Sequence, residues 1–427
     1  MIKLAMKSYM RNSNPTPNRA DINLPRPLNG IKVLDLTSVL MGPYASQILG
    51  DMGADVIKVE PPSGDTSRQI GPGRHTGMGA LFLNTNRSKR SICIDLKTEN
   101  GKKTLLKLAK KVDVFLYNIR PQAMARLGLS YEAVSAVNKR LIYVGVFGFG
   151  QDGPYAAKAG YDDLMQGAST LSHLFVRSTG ESPQYAPAAM GDRIAGMAAV
   201  NAILGAIIER SSSGLGQCID VPMFEIMVKF IMSDHMQGLS FDPPIDQGGY
   251  PRLLARSRRP YKTKDSYICA MIYTDKQWER FLRLFGRENE MKTDPRLQSL
   301  TTRTLHIDDL YAEVERELGT RTTEEWLKAF DTEDIPSMPM HDFNSVFKDP
   351  HLKSIGYFTK EEHSSEGLLT TMREPLTWSR TQPKSIKPTP RHGEHTREIL
   401  MEGGFSDLEI NKLIESGAVF VEKASTQ

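Results

Sequence analysis

From Pro27 onward, short apolar runs rich in β-branched residues alternate with stretches of helical period. "IKVLDLT" (31–37) predicts a strand, "GPYASQILGDMG" a helix closing at Gly53, and "DVIKVE" (55–60) the next strand. "RSICIDLKT" follows as a strand. "ENGKKTLLKLAKKV" then sets Leu105, Leu106, Leu108, Ala109 and Val112 on one helical face. "DVFLYN" (113–118) and "RLIYVGVFGFG" (140–150) continue the alternation. Strands separated by helices imply a parallel sheet covered on both faces, an α/β fold of Rossmann-like kind.

Past Val221 the pattern changes. "FEIMVKFIMSDHMQGLSF" reads as a Met-rich helix, and "DPPIDQGGYPRLLARSRRPYKTKDSY" as an irregular, basic stretch. "YICAMIY" predicts a strand and "DKQWERFLRLFG" a helix ended by Gly286. "DDLYAEVERELGTRTTEEWLKAF" gives two helices, the second capped by Thr322 with Glu324 and Glu325 in its first turn. The chain therefore divides into an N-terminal tail (1–26), a large α/β domain (27–223), a linker (224–247) and a smaller α+β domain (248–325). A second linker (326–345) and a C-terminal segment (346–427) that completes the large domain follow.

Composition narrows the class. Across 427 residues, 40% hydrophobic and 24% charged content describe an ordinary globular protein of about two domains. A net charge of +4 leaves room for a pocket that holds a phosphorylated ligand but gives no reason to expect nucleic acid. The longest apolar stretch, "AGMAAVNAILGAII", has 14 residues including Asn201 and reads as a core helix rather than a membrane span. Cys93, Cys218 and Cys269 are far apart and odd in number, which suggests buried thiols in a reducing compartment. Lys3, Lys7, Arg11 and Arg19 precede the first acid, Asp21. That segment reads as a floppy tail in a cytoplasmic protein, with a mitochondrial presequence as the alternative.

Several chemical spellings fail in context. "GFGQDG" (148–153) satisfies G-x-G-x-x-G, but Pro154 and Tyr155 follow where a helix should open, so it reads as a turn. His392 and His395 lack a third ligand, and no metal site is expected. "AAMGDRIAGMAAV" (188–200) is different. Asp192 reads first as a helix N-cap. A carboxylate at a helix start is also kept ionised and can act as a nucleophile, and Gly191 and Gly196 suggest room for an acyl group beside it.

"PLNGIKVLDLTSVLMGPYASQILGDMGADVIKVEPPSGDTSR", "FLNTNRSKRSICIDLKTENG", "DVFLYNIRPQAMARLGLSYE", "GYDDLMQGAS", "MGDRIAGMAAVNAILGAIIER" and "GEHTREIL" stand in consistent order over roughly residues 27 to 415. This series resembles the class III CoA-transferases, the family that includes formyl-CoA transferase and the carnitine CoA-transferase group (CaiB/BaiF). The resemblance implies that Asp192 is the nucleophile, that the substrate is a coenzyme A thioester with no tightly bound cofactor, and that two ring-like subunits interlock as a homodimer. It implies CoA contacts at Val39, Leu40 and Met41, at Ile94, Asp95, Leu96 and Lys97, and at Asn118, Ile119, Arg120 and Arg126. Tyr161 and Asp162 in "GYDD" fall near the pantetheine arm, and Met223 close to CoA.

The chain departs from formyl-CoA transferase at Pro61 and Ala159, which stand where that enzyme has basic residues, and its glycine-rich closing loop is missing here. The cluster Arg252, Arg256, Arg258 and Arg259 occupies that region and reads either as a contact to a dicarboxylate or as a solvated loop. The expectation is a transferase that moves CoA from an acyl-CoA, with succinyl-CoA favoured, to a small carboxylic or dicarboxylic acid. The alternatives are the α-methylacyl-CoA racemase branch of the same fold and a non-catalytic CoA- or nucleotide-binding protein. Tyr161, standing where the racemases have a His, favours the transferase.

Overall fold

The computed structural model describes residues 26–385 and 387–421, so the basic N-terminal segment lies outside the described residues. The chain forms two units, one of residues 26–160, 191–223 and 356–421, the other of 161–190 and 224–355. The second unit is larger than the 248–325 read from the sequence. Residues 224–247 are not a linker, because a helix runs over Met223–His235. Nor are 326–345, because Trp326 and Phe330 are fully buried in the second unit's core and Ser337–Pro339 is a strand of its sheet. The return to the first unit begins at Gly356.

In the first unit six strands lie parallel: β1 (Lys32–Leu36), β2 (Asp55–Glu60), β3 (Lys89–Ile94), β4 (Val114–Tyr117), β5 (Ile142–Phe147) and β6 (Cys218–Pro222). A short β7 (Val419–Phe420) adds antiparallel to β3, giving the order β7-β3-β2-β1-β4-β5-β6. Strands β3, β4 and β5 are buried at every position, which explains the near-continuous apolar runs of β4 and β5, while β3 buries Lys89, Arg90 and Ser91 as well. Helix α1 (Met41–Asp51) follows β1 and ends at Gly53, whose φ of 105° only glycine adopts without strain. Helix α2 (Glu99–Ala109) starts at Thr98, whose side chain accepts the Gly101 N–H. Helix α3 (Pro121–Arg126) follows β4 with proline at its first position. Ile399, Leu400, Ile410 and Val419 pack into the same core as Leu34, Ile92 and Phe115, so the C-terminal segment completes this unit.

Helix α4 (Met190–Ser213) is the crossover that returns the chain to β6. It has 24 residues rather than the 14 counted in the apolar stretch, and by length and composition it is long and apolar enough to cross a membrane. In this fold one face of it is buried against the rest of the unit. Ala195, Gly196, Ala199, Val200, Ile203 and Ala206 are buried. Near its C-terminus the half-hidden carboxylate of Asp113, just before β4, pairs with Arg210 at 2.9 Å. "GFGQDG" forms turns after β5 and opens no helix. Of the three cysteines all are free, but only Cys93 is buried; Cys218 on the edge strand β6 and Cys269 are exposed, contrary to the expectation of buried thiols.

The second unit holds a three-stranded antiparallel sheet (Tyr261–Lys262, Tyr267–Ala270, Ser337–Pro339) packed with helices Asp275–Arg283, Ile307–Leu318 and Thr323–Thr332. Thr322 caps the last of these through a reciprocal pair of bonds with Glu325, as its sequence predicts.

Candidate active site

Strand order decides where a ligand can enter. From β1 the chain winds through β2 to β3 on one side, then crosses to β4 on the other. Helices and loops diverge at that reversal, so a crevice opens beyond the C-terminal ends of β1 and β4. The segments after these two strands are 37–41 and 118–120, which contain six of the residues assigned to CoA by resemblance.

The loop after β1 is held at nearly every backbone polar group. The Thr37 N–H donates to Asp35 at 2.9 Å, and the Thr37 carbonyl accepts from Lys58 Nζ at 3.0 Å. Asn118 brackets Ser38, its Oδ1 accepting the Ser38 N–H at 3.1 Å and its Nδ2 donating to the Ser38 carbonyl at 3.0 Å. The Val39 N–H donates to Asp65 Oδ1 at 3.1 Å. Val39 sits at φ 72°, a left-handed conformation that costs a β-branched residue about 1–2 kcal/mol. The surrounding bonds over-determine that conformation and leave the Val39 side chain exposed while Leu40 and Met41 are buried.

The clamp is electrostatic and dry. Asp35, Lys58, Asp65 and Lys89 are all buried. Asp35 accepts from Ser46 and from Lys89 Nζ at 3.2 Å, and Lys58 pairs with Asp65 at 2.8 Å. Burial opposes the charge on Asp65, but the Lys58 ammonium and bonds from Lys58 and Ser67 outweigh it and hold its pKa down to about 2. Burial likewise opposes ionisation of Asp35, yet Lys89 and Lys58 hold it below its ordinary value. Burial pulls Lys89 down to about 8 against the attraction of Asp35. Glu60, bonded to Arg68 at 2.7 and 2.8 Å, extends the network. Sequence reading missed these groups; the available signal was Lys58 and Glu60 alternating with Ile57 and Val59 in "DVIKVE".

Asp192 lies in the first turn of α4, not at its cap, and is half-buried. Gly196 does not make room for a ligand, as its sequence suggested. A Cβ there would stand 2.8 Å from the Met41 carbonyl oxygen and 3.1 Å from the Tyr44 ring. Its purpose is to let α4 touch the first turn of α1. Asp192 is four residues earlier, on the same helix face. Arg193 packs its guanidinium over Tyr44 at 4.3 Å from the ring centroid. The close approach thus carries the Asp192 turn to the β1 loop. Gly196→Ala is expected to destabilise the protein by about 1–3 kcal/mol and lower turnover more than about tenfold by shifting that turn. Urea midpoints and exchange rates matching the parent chain would refute this.

The other assigned residues separate. Ile94 is buried and pairs with Val419, and Leu96 packs on the core. Asp95 accepts the Lys97 N–H at 2.9 Å, leaving only the Lys97 side chain outward in that segment. These sit two strands from β1, about 10 Å away. Ile119 also packs on the core, while Arg120, which donates to the Ala157 carbonyl at 3.2 Å, and Arg126 are exposed. Met223 is buried at the end of β6, on the same edge of the sheet. Tyr161, exposed, and Asp162, which accepts from Gln166 at 2.6 Å, belong to the second unit. Among the described residues no group of three or more His, Cys, Asp or Glu could hold a metal ion. His395 instead precedes the helix Thr396–Glu402, and His392 bonds to the Pro61 carbonyl.

Known proteins share this architecture and sequence. The model of CoA-transferase family III matches residues 28–396. A succinate–glutarate CoA-transferase of Agrobacterium fabrum is 34% identical over 392 residues, 88% of this chain and 95% of that one. The human succinyl-CoA:glutarate CoA-transferase is 30% identical over 403 residues, 94% of this chain and 92% of the relative. The crystal structure of a CaiB/BaiF family protein from Brucella suis superposes with a TM-score of 0.74 at 30% identity, covering 89% of this chain and all of that one.

Proposed function

This chain belongs to CoA-transferase family III and is a CoA-transferase, and from that premise we propose that it exchanges CoA between two short dicarboxylic acids through a covalent intermediate on Asp192. The observation that carries the reading is the contact of Gly196 with Met41, which brings the Asp192 turn to the crevice between β1 and β4.

The chemistry follows from a carboxylate beside a thioester. Asp192 attacks the acyl carbonyl, forming a mixed anhydride as the carbon–sulfur bond breaks and CoA leaves as thiolate. The thiolate attacks the aspartyl carbonyl of that anhydride, giving an aspartyl-CoA thioester and releasing the donor acid. The acceptor carboxylate attacks this thioester and expels the thiolate again. The thiolate then takes the acceptor acyl group and Asp192 is regenerated. One thioester is exchanged for another, so neither ATP nor a net proton is required. The first-turn amides of α4 lack intrahelical acceptors and are suited to the tetrahedral oxyanions.

The backbone of the β1 loop and the exposed Val39 side chain form the wall against which the ligand lies, with Asn118 holding Ser38 in place. Lys97, Arg120 and Arg126 are the exposed cations suited to nucleotide phosphates along the strand ends. Met197 and Ile208 on α4, and Leu215 after it, leave large apolar side chains exposed, which supports assembly as a homodimer. Three unbridged cysteines support a reducing compartment. The test is exchange of labelled succinyl-CoA against a panel of mono- and dicarboxylates. Label is expected to move to succinate-sized and glutarate-sized acids; transfer to none of the panel would overturn the proposal.

A further inference from the structure

The second unit carries a cavity of about 270 Å³ lined by Arg252, Arg258, Arg259, Tyr261, Met271 and Tyr311 among others. Its cations are unequally used. Arg259 is paired with Glu315 at 2.9 Å. Neither Arg252 nor Arg258 has an ion-pair partner among the described residues. The nearby carboxylate of Asp308 accepts the Ser257 N–H at 2.8 Å.

Arg252 is nonetheless fixed in place. Its Nε donates to the hydroxyl of buried Tyr311 at 3.2 Å, its guanidinium stacks over Tyr273 at 4.7 Å, and its Nη2 touches the Met271 sulfur at 3.1 Å. None of these contacts neutralises it. A guanidinium oriented by neutral groups, beside a second unpaired guanidinium, is preorganised for a planar anion. The walls supply the apolar half of a ligand site, through Tyr261, Ala270 and Met271. The volume lies below the roughly 300–1,000 Å³ of pockets that enclose drug-sized ligands, which suits a short acid.

We propose that Arg252 and Arg258 form a binding site within the second unit for a carboxylate of a short dicarboxylic acid. This rests on the reading of the chain as a dicarboxylate CoA-transferase. The shared chemistry is a small anion, and its other source would be a phosphate of CoA, which the test separates.

The experiment titrates succinate, glutarate and CoA alone into the full-length protein by calorimetry, for the parent chain and for Arg258→Gln, Arg258→Lys and Arg252→Gln. Losing one charged hydrogen-bonding partner is expected to weaken succinate binding about tenfold or more. Arg258→Lys should recover part of the loss. Affinity for CoA should not move. Absence of succinate binding to the parent chain, equal succinate affinity in the Gln variants, or a loss of CoA rather than succinate affinity would each overturn the proposal. So would a changed oligomeric state without a changed succinate affinity, since a second copy's acid would then fill the cavity. If instead the parent chain forms no adduct on Asp192 while the titrations behave as expected, the transfer reading falls and the anion site stands.

Discussion

Asp192→Ala is expected to lower the rate of CoA exchange by about 10,000-fold or more, the scale on which removing a nucleophile acts. The same change should leave the fold nearly untouched. An acid in the first turn of a helix contributes about 0.3–1 kcal/mol through the dipole. A nucleophile lost at 10,000-fold is missing about 5 kcal/mol of transition-state stabilisation. The two roles of this carboxylate therefore separate by magnitude. If Asp192 only favoured the helix start, the variant would show a small drop in urea midpoint and a rate within about tenfold of the parent. Paired denaturation and exchange measurements on one preparation read both numbers.

The second large effect lies beneath the site. Asp35→Ala is expected to cost about 3–5 kcal/mol, because it strips a buried counter-charge from Lys89 and leaves Lys58 with less compensation. Against a total stability of about 5–15 kcal/mol, that brings the chain close to unfolding. It also frees the Thr37 N–H that anchors the β1 loop. A soluble variant should therefore bind acyl-CoA poorly. Parent-like urea midpoint and KM for acyl-CoA would contradict the clamp. The same network sets an acid limit. Asp65 has its folded pKa depressed to about 2, so its contribution is fully present above the ordinary carboxylate pKa and is lost as pH falls toward 2. That contribution is about 2 kcal/mol, and the slope of stability against pH between about 4 and 2 should flatten in Asp65→Asn. An unchanged slope would refute it.

Much of the first unit is legible in its sequence because its central strands β1, β4 and β5 are buried and appear as apolar runs between glycine-ended helices. "DVIKVE" coincides with β2, and Thr322 announces its helix through Glu325 three residues on. Asp192 is singled out in the sequence for a different reason: its segment resembles a family, which nominates it as the nucleophile. What failed depends on contacts between residues far apart in the chain. Asp35 and Lys89 are 54 positions apart, and no local pattern pairs them. Gly196 looked like space for a ligand, and only the approach of Met41 reveals it as a helix contact. Residues 224–247 and 326–345 were divided off by composition, yet Trp326 and Phe330 belong to a core. Cys218 seemed apolar enough for burial, but edge-strand position leaves it in solvent.

The most direct measurement is peptide mass spectrometry of the protein quenched during turnover with succinyl-CoA and no acceptor. The expected result is a CoA-sized thioester adduct on the peptide containing Asp192, removed by hydroxylamine and by added glutarate at the rate of exchange. Full exchange activity with no adduct, or with the adduct on any other residue, would contradict it.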